Sequence, residues 1–227
     1  MSNLSPILIT APARSGTSCV AGIVHICGAW GGKMAGPNSN NKKGMFENTE
    51  IRNGIVKPFL RKFGFDPLCQ NPLPDDDAIL LWGTEEYGAY WETQIVREIR
   101  KQGYRSGPWF YKGAKMVLMW SLWHKAFPFA KWIYVNRDKE DIISSCLKTG
   151  FMRAYKGREG WSSWVDVHIK RKQEMIEAGI KIIDITPHKF IKENDFEEIK
   201  QVVLGLGLTW REEKVRAFVS PNLWGKR

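Results

Sequence analysis

Five consecutive residues, Arg14-Ser15-Gly16-Thr17-Ser18, put a planar cation, hydroxyl groups and a residue without a side chain in one place. They follow a short apolar run, Pro6 to Thr10, that reads as a buried strand, and they lead into the mostly apolar stretch Thr17 to Trp30, which reads as a helix. A helix starts with unpaired N–H groups and the positive end of its dipole, and both suit a phosphate. Gly16 allows backbone angles and a close ligand approach that a side chain would block. Arg14 adds a forked cation at the same point. The Walker A pattern, G-x-x-x-x-G-K-[ST], is not met: Ala11 stands at its first glycine, Thr17 at its lysine, and only Ser18 at its magnesium-holding hydroxyl. A kinase with a degenerate phosphate loop is thereby weakened but not removed, and junctions of this type also occur for structural reasons alone.

Two further cations stand at the ends of apolar runs. Lys112 closes Trp109 to Lys112, and Arg137 follows Lys131 to Val135, with Ser145 eight positions later. Between them the chain alternates short β-rich runs with helical stretches. Helices are expected at Asn48 to Lys62 (bent near Pro58), Glu85 to Gln102, Lys115 to Phe127, Glu140 to Leu147, Trp161 to Ala178 and Asp195 to Leu204, and a further strand at Lys181 to Ile185. Residues 31–44, rich in Gly, Asn and Lys, and 66–78 are expected as loops near the site of a second substrate. Ile79 to Trp82 fits no one element type, and the last twenty residues show no regular pattern. The alternation predicts an α/β fold, a P-loop-like three-layer α/β/α sandwich on a mostly parallel sheet, formed as a single domain over 1–227. Ligands of such sheets bind at the carboxyl ends of the strands. That rule sets Arg14, Lys112 and Arg137 on one rim.

Composition narrows the classes. With 43% hydrophobic and 26% charged residues in 227, the chain is neither disordered nor a membrane protein, and no apolar run approaches the ~20 residues of a membrane span. The segment MSNLSPILITAP has no basic stretch before its apolar one, so no signal peptide is expected. Cys19, Cys27, Cys69 and Cys146 lack metal-ligand spacing and read as free thiols of a reducing compartment, which predicts a cytoplasmic protein. No H-E-x-x-H or carboxylate cluster suggests a metal. The formal net charge of +10 attracts anions in general, but the Lys and Arg are scattered, so a non-catalytic nucleic-acid-binding protein ranks below the enzyme readings and no specific nucleic acid is expected. Eleven tryptophans suit the core and could also stack on the rings of a ligand.

Pro12 to Ser18 together with YVNRDKEDIISSCL, Tyr134 to Leu147, resembles the sulfotransferase family that uses 3'-phosphoadenosine 5'-phosphosulfate (PAPS), in its bacterial or viral type. KGMFEN, Lys43 to Asn48, resembles a segment of bacterial-type members, and weaker echoes at Lys112 to Arg137 and Lys181 to Leu208 extend the resemblance over most of residues 6–210. It implies that Arg14, Ser15, Gly16, Thr17 and Ser18 hold the 5'-phosphosulfate and that Arg137 and Ser145 hold the 3'-phosphate. Departures accompany it. Cys19 stands where the cytosolic branch stacks a tryptophan on adenine, and Ala114 where that branch has its histidine base.

The activity implied is transfer of a sulfuryl group from PAPS to a hydroxyl or amine acceptor by in-line displacement, with no metal. Arg14 would meet charge on the leaving oxygen, Lys112 would be a second cation, and Glu47 would be the general base, its basicity raised by partial burial. His25, His124, His168 and His188 have no partner recognisable by spacing. A small-molecule, saccharide or lipid-like acceptor is compatible with the aromatic content. The oligomeric state is not legible.

Overall fold

The computed structural model describes residues 4–38 and 41–223. Four strands, β1 (Ile7–Thr10), β2 (Phe110–Lys112), β3 (Lys131–Val135) and β4 (Ile182–Ile185), pair in the order β2-β1-β3-β4, every pairing parallel. Ile7 faces Phe110 on one side and Lys131 on the other. All four residues of β1 are buried, although their side chains alternate between the two faces. Both faces of the sheet are therefore covered, as a parallel sheet requires. The protein is α/β, with its parallel sheet flanked by helices.

Helices follow in chain order: α1 (Thr17–Ile26), α2 (Lys57–Lys62), α3 (Asp76–Trp82), α4 (Glu85–Lys101), α5 (Trp120–Ala126), α6 (Lys139–Leu147), α7 (Arg158–Glu177), α8 (Pro187–Lys192), α9 (Glu197–Gly205) and α10 (Glu212–Phe218). None is long and apolar enough to cross a membrane among the described residues. Several boundaries differ from those expected, each for a local reason. α1 stops at Ile26 rather than Trp30 because Gly28 takes φ 114°, and Trp30 then runs extended beside Trp109. The bend expected near Pro58 is a π-helical turn, Ile51–Val56, ahead of α2. Pro58 has no N–H for the carbonyl of residue 54, and the wider turn accommodates the loss. The loop expected over 66–78 ends at Asp75, whose Oδ1 accepts from Ala78 N at 2.8 Å and caps α3. Ile79 to Trp82 is thus helical. The helix expected from Lys115 opens as a 3-10 turn, Ala114–Met119, and the C-terminal stretch expected to be irregular contains α10, seated on the core through buried Val215.

The tryptophans mostly build the core. Trp82, Trp91, Trp109, Trp123, Trp132 and Trp161 are fully buried, and Trp91 packs edge-on against Trp123, itself stacked on Tyr111. The four cysteines are free thiols. Burial pushes Cys19, Cys69 and Cys146 up to about 12, which leaves them protonated and inert.

One buried hydroxyl fixes the rim of the sheet. Thr10 Oγ1 donates to Gly113 O at 2.9 Å and accepts from Val117 N at 3.0 Å, tying the end of β1 to the turn after Lys112. Thr10→Val keeps the shape but removes the hydroxyl that Val117 N donates to, while Gly113 O keeps its bond from Met116 N. It should lower stability by about 1–3 kcal/mol, read as a drop in the urea midpoint at unchanged slope. A loss below about 0.5 kcal/mol, within the range of ordinary surface changes, would show that this link is not needed.

Candidate active site

The site is assembled where β1 and β3 lie side by side. The chain steps from β1 outward to β2 and then back past β1 to β3, so the crevice beyond β1 and β3 is the point where the direction of winding reverses. Open parallel sheets bind ligands there.

The turn after β1 is bent by two left-handed residues, Arg14 at φ 77° and Gly16 at φ 95°. For arginine this conformation costs roughly 1–2 kcal/mol, a cost the surrounding contacts must offset. They do so from the far half of the chain. Arg137 Nη1 donates to Arg14 O at 2.8 Å, and Arg14 Nε donates to Ser145 Oγ at 3.0 Å. The two anion-suited segments, separated by more than a hundred residues, are joined directly. Arg137 also lies 3.5 Å from Asp141 on the first turn of α6.

Gly16 is the N-cap of α1 and supplies no side-chain cap, so the first N–H groups of that helix receive no acceptor from it. Ser15 Oγ is buried and has no hydrogen-bond partner among the described residues. An orphaned buried hydroxyl, an uncapped helix start and a guanidinium together suit an anionic oxygen such as that of a phosphate. Ser18 Oγ accepts from Asn41 Nδ2 at 2.8 Å, which brings the 31–44 segment to the same cradle.

Beside the cradle lies a cavity of about 270 Å³. Arg14, Thr17, Ser18, Glu47 and Lys112 line it, whereas Ser15, Gly16, Arg137 and Ser145 stand behind it or one side chain away. Glu47 and Lys112 are both buried. Glu47 Oε2 is 3.4 Å from Arg52 Nη1 and 3.9 Å from Lys112 Nζ. The backbone holds Glu47 in place: Ala35 N donates to Glu47 O, Thr49 N to Lys33 O, and Asn48 Nδ2 to Gly31 O, so the first part of the 31–44 segment is laced to the residues on both sides of the carboxylate.

Burial pushes the Glu47 carboxyl up, but Lys112, Lys115 and Arg52 together overcome it and hold the group below the ordinary carboxylate range. The raised basicity expected from partial burial is therefore reversed. Three neighbouring cations outweigh desolvation. Burial also pushes the Lys112 ammonium down; Glu47 opposes this, while Lys115, Arg52 and Arg14 add to it.

The histidines are poorly placed. His168 lines the cavity, yet burial lowers it to about 4 and its Nδ1 is engaged with Trp164 O at 2.7 Å. Burial and Lys125 also lower His124, and His25 Nδ1 lies 3.3 Å from Ala29 O in its own turn.

Sequence reading missed the rest of the wall. Arg52, Lys57 and Lys115 line the cavity together with Leu68, Phe151, Met152 and Trp164. Lys115 lies three residues after Lys112, in the 3-10 turn that follows the end of β2, so the strand-end rule that picked out Lys112 reaches it as well. Arg52 lies five residues after Glu47 at the start of the π-turn, a register that no α or β period suggests. Gln70 closes the far side. Its Nε2 donates to Phe151 O at 2.8 Å, and its Oε1 accepts from Arg153 N and Ala154 N.

No protein-family model and no curated protein sequence matches the chain. Among solved structures, the sulfotransferase STF1 from Mycobacterium tuberculosis H37Rv aligns with 95% of this chain and 76% of its own, at 12% identity and a TM-score of 0.38. The fold described above stands on the strand pairing of the present chain.

Proposed function

We propose that this protein transfers a sulfuryl group from 3'-phosphoadenosine 5'-phosphosulfate to a hydroxyl or amine acceptor. The observation that carries the reading is the junction of Arg14, Ser145 and Arg137 beside a cavity that holds a buried carboxylate and a buried lysine. PAPS has anionic groups on both the 3' and the 5' oxygen of its ribose, and the two joined segments offer a cation and a hydroxyl for each.

When bound, the donor supplies an activated sulfuryl group. Arg14, the hydroxyls of Ser15, Thr17 and Ser18, and the N–H groups at the start of α1 would hold its 5' end. Arg137 and Ser145 would hold its 3'-phosphate. Lys112 and Arg14 would offset the negative charge that grows on the leaving oxygen. Glu47, ionised at neutral pH, would accept the acceptor's proton. A carboxylate this weakly basic takes up the proton late, as the new sulfur–oxygen bond forms and the acceptor oxygen becomes acidic. Arg52 would keep the carboxylate aimed into the cavity.

The test is calorimetry with 3'-phosphoadenosine 5'-phosphate (PAP) and with AMP, both in EDTA. PAP should bind without metal, and at least tenfold more tightly than AMP, since one charge-assisted phosphate contact is worth about 1.5–3 kcal/mol. Equal, weak affinities would defeat the donor assignment. Metal-dependent binding of ATP in preference to PAP would favour a kinase instead.

A further inference from the structure

The cavity has more positive charge than the proposed chemistry uses. Among the described residues, five cationic side chains line it, Arg14, Arg52, Lys57, Lys112 and Lys115, against the one carboxylate of Glu47. On the reading above, the phosphosulfate end of PAPS brings one charge on its phosphate and one on its sulfuryl group. With Glu47 these offset three of the five. Lys57 and Lys115 remain, both lining the cavity and close enough to act on each other.

Crowding shows in Lys57. Its ammonium lies below its ordinary range, first through burial and then through Arg52 and Lys115, with Glu47 opposing. Like charges gathered in a concave, partly desolvated space raise the local potential for an anion well above that of an exposed lysine. The neighbouring wall is apolar: Leu68, Phe151 and Met152 lie on loops cross-linked by Gln70, and Trp164 is anchored by its Nε1–H to Cys69 O at 2.8 Å.

We infer that Lys57 and Lys115 form an acceptor subsite for an anionic group, and that the acceptor is a small hydroxy compound carrying a carboxylate or similar anion on an apolar body. This rests on the sulfuryl-transfer reading, and it names the substrate class for that site. The anion would sit between the two ammonium groups and the apolar body against Phe151 and Met152. The hydroxyl would then be directed toward Glu47. The same surplus charge would disfavour cationic amine acceptors, so hydroxyl transfer is the preferred branch.

Two probes of one size separate charge from shape: 4-hydroxyphenylacetate and 4-hydroxyphenylacetamide. Each is titrated by calorimetry into the PAP-saturated full chain at low salt. The acid should bind at least ~10-fold more tightly than the amide, the scale of one close charge pair in a partly desolvated site. Added salt should reduce that ratio. Lys57→Gln should bring the ratio below about threefold while PAP affinity stays within about twofold, a result that also reports a folded protein. Lys115→Gln carries the same expectation and serves where Lys57→Gln does not fold. If PAP itself does not bind, the donor reading fails and this inference falls with it. Three outcomes with PAP bound would overturn the acidic-acceptor subsite alone: equal affinities for the two probes, no binding of either, or a preference that survives both substitutions.

Discussion

Glu47→Gln is expected to lower turnover with a hydroxyl acceptor by roughly 10²–10⁴-fold while leaving PAP affinity nearly unchanged. Glutamine keeps the size of the side chain and can still accept from Arg52, but it cannot take a proton. The position has a second duty that must be read in parallel. The carboxylate is the one acidic side chain lining the cavity, so its loss leaves Lys112 and Arg52 without it. Removing one partner of a buried pair costs about 3–5 kcal/mol. A thermal melt of Glu47→Gln should therefore show lowered stability together with retained PAP binding. A variant that turns over within about threefold of the parent would remove Glu47 as the base. A variant that loses PAP binding would make it a positioning residue for the cradle.

The pH profile adds an independent reading. The cations around Glu47 hold its carboxyl below the ordinary range, so it is deprotonated throughout the neutral region. The acid limb of turnover should then fall below about pH 4.3, the unperturbed glutamate value. An acid limb near pH 6.5, where unperturbed histidine titrates, would point away from Glu47. It would also be hard to assign to His168, which burial already lowers to about 4.

Arg14→Ala carries the second large expectation. At saturating donor its turnover should fall by about 10²–10³-fold, the scale of one lost transition-state donor, and PAP binding should weaken as well. Arg137→Ala should act mainly on affinity, by about 1.5–3 kcal/mol for a charge-assisted phosphate contact. The geometry predicts some overlap between the two. Arg14 Nε is on Ser145 Oγ and Arg137 is on Arg14 O, so the double variant should lose less affinity than the two single losses combined. Initial rates over a range of PAPS concentrations separate the effects. An Arg14→Ala variant altered only in apparent donor affinity would remove its role on the leaving oxygen.

How far the sequence reached depends on the kind of signal. The strand Lys131 to Val135 was legible to the residue, because after the exposed Lys131 its four apolar positions are all buried, as a strand covered on both faces requires. Helix ends were less so. Gly28 stops α1 at Ile26, well short of Trp30, and Asp75 starts a helix inside a stretch rich in Pro and Asp. In both cases a single backbone angle or cap overrode the local composition. In the candidate site, the cations at strand ends were legible because the sheet rule places them together. Arg52 and Lys57 were not, since a π-turn sets their register and only the finished fold places that turn against the cavity. The environment of Glu47 was beyond reach for a similar reason. Its burial could be guessed from Met45 and Phe46 beside it, but the three cations that reverse the effect come from separate elements.

The sheet order has a consequence for how the chain comes into being. Ile7 finds its partners at Phe110 and Lys131, so β1 is made first and pairs only after roughly 100–125 further residues exist. At a synthesis rate of about 5–20 residues per second, that is a wait of roughly 5–25 s. Throughout it, Ile7-Leu8-Ile9-Thr10 is an apolar ribbon with both hydrogen-bonding edges open, the kind of segment that joins neighbouring chains. An inner strand of the finished sheet is thus the one that waits longest for its partners. Soluble yield in a cell will follow the speed of translation and the supply of chaperones more closely than the stability of the completed protein.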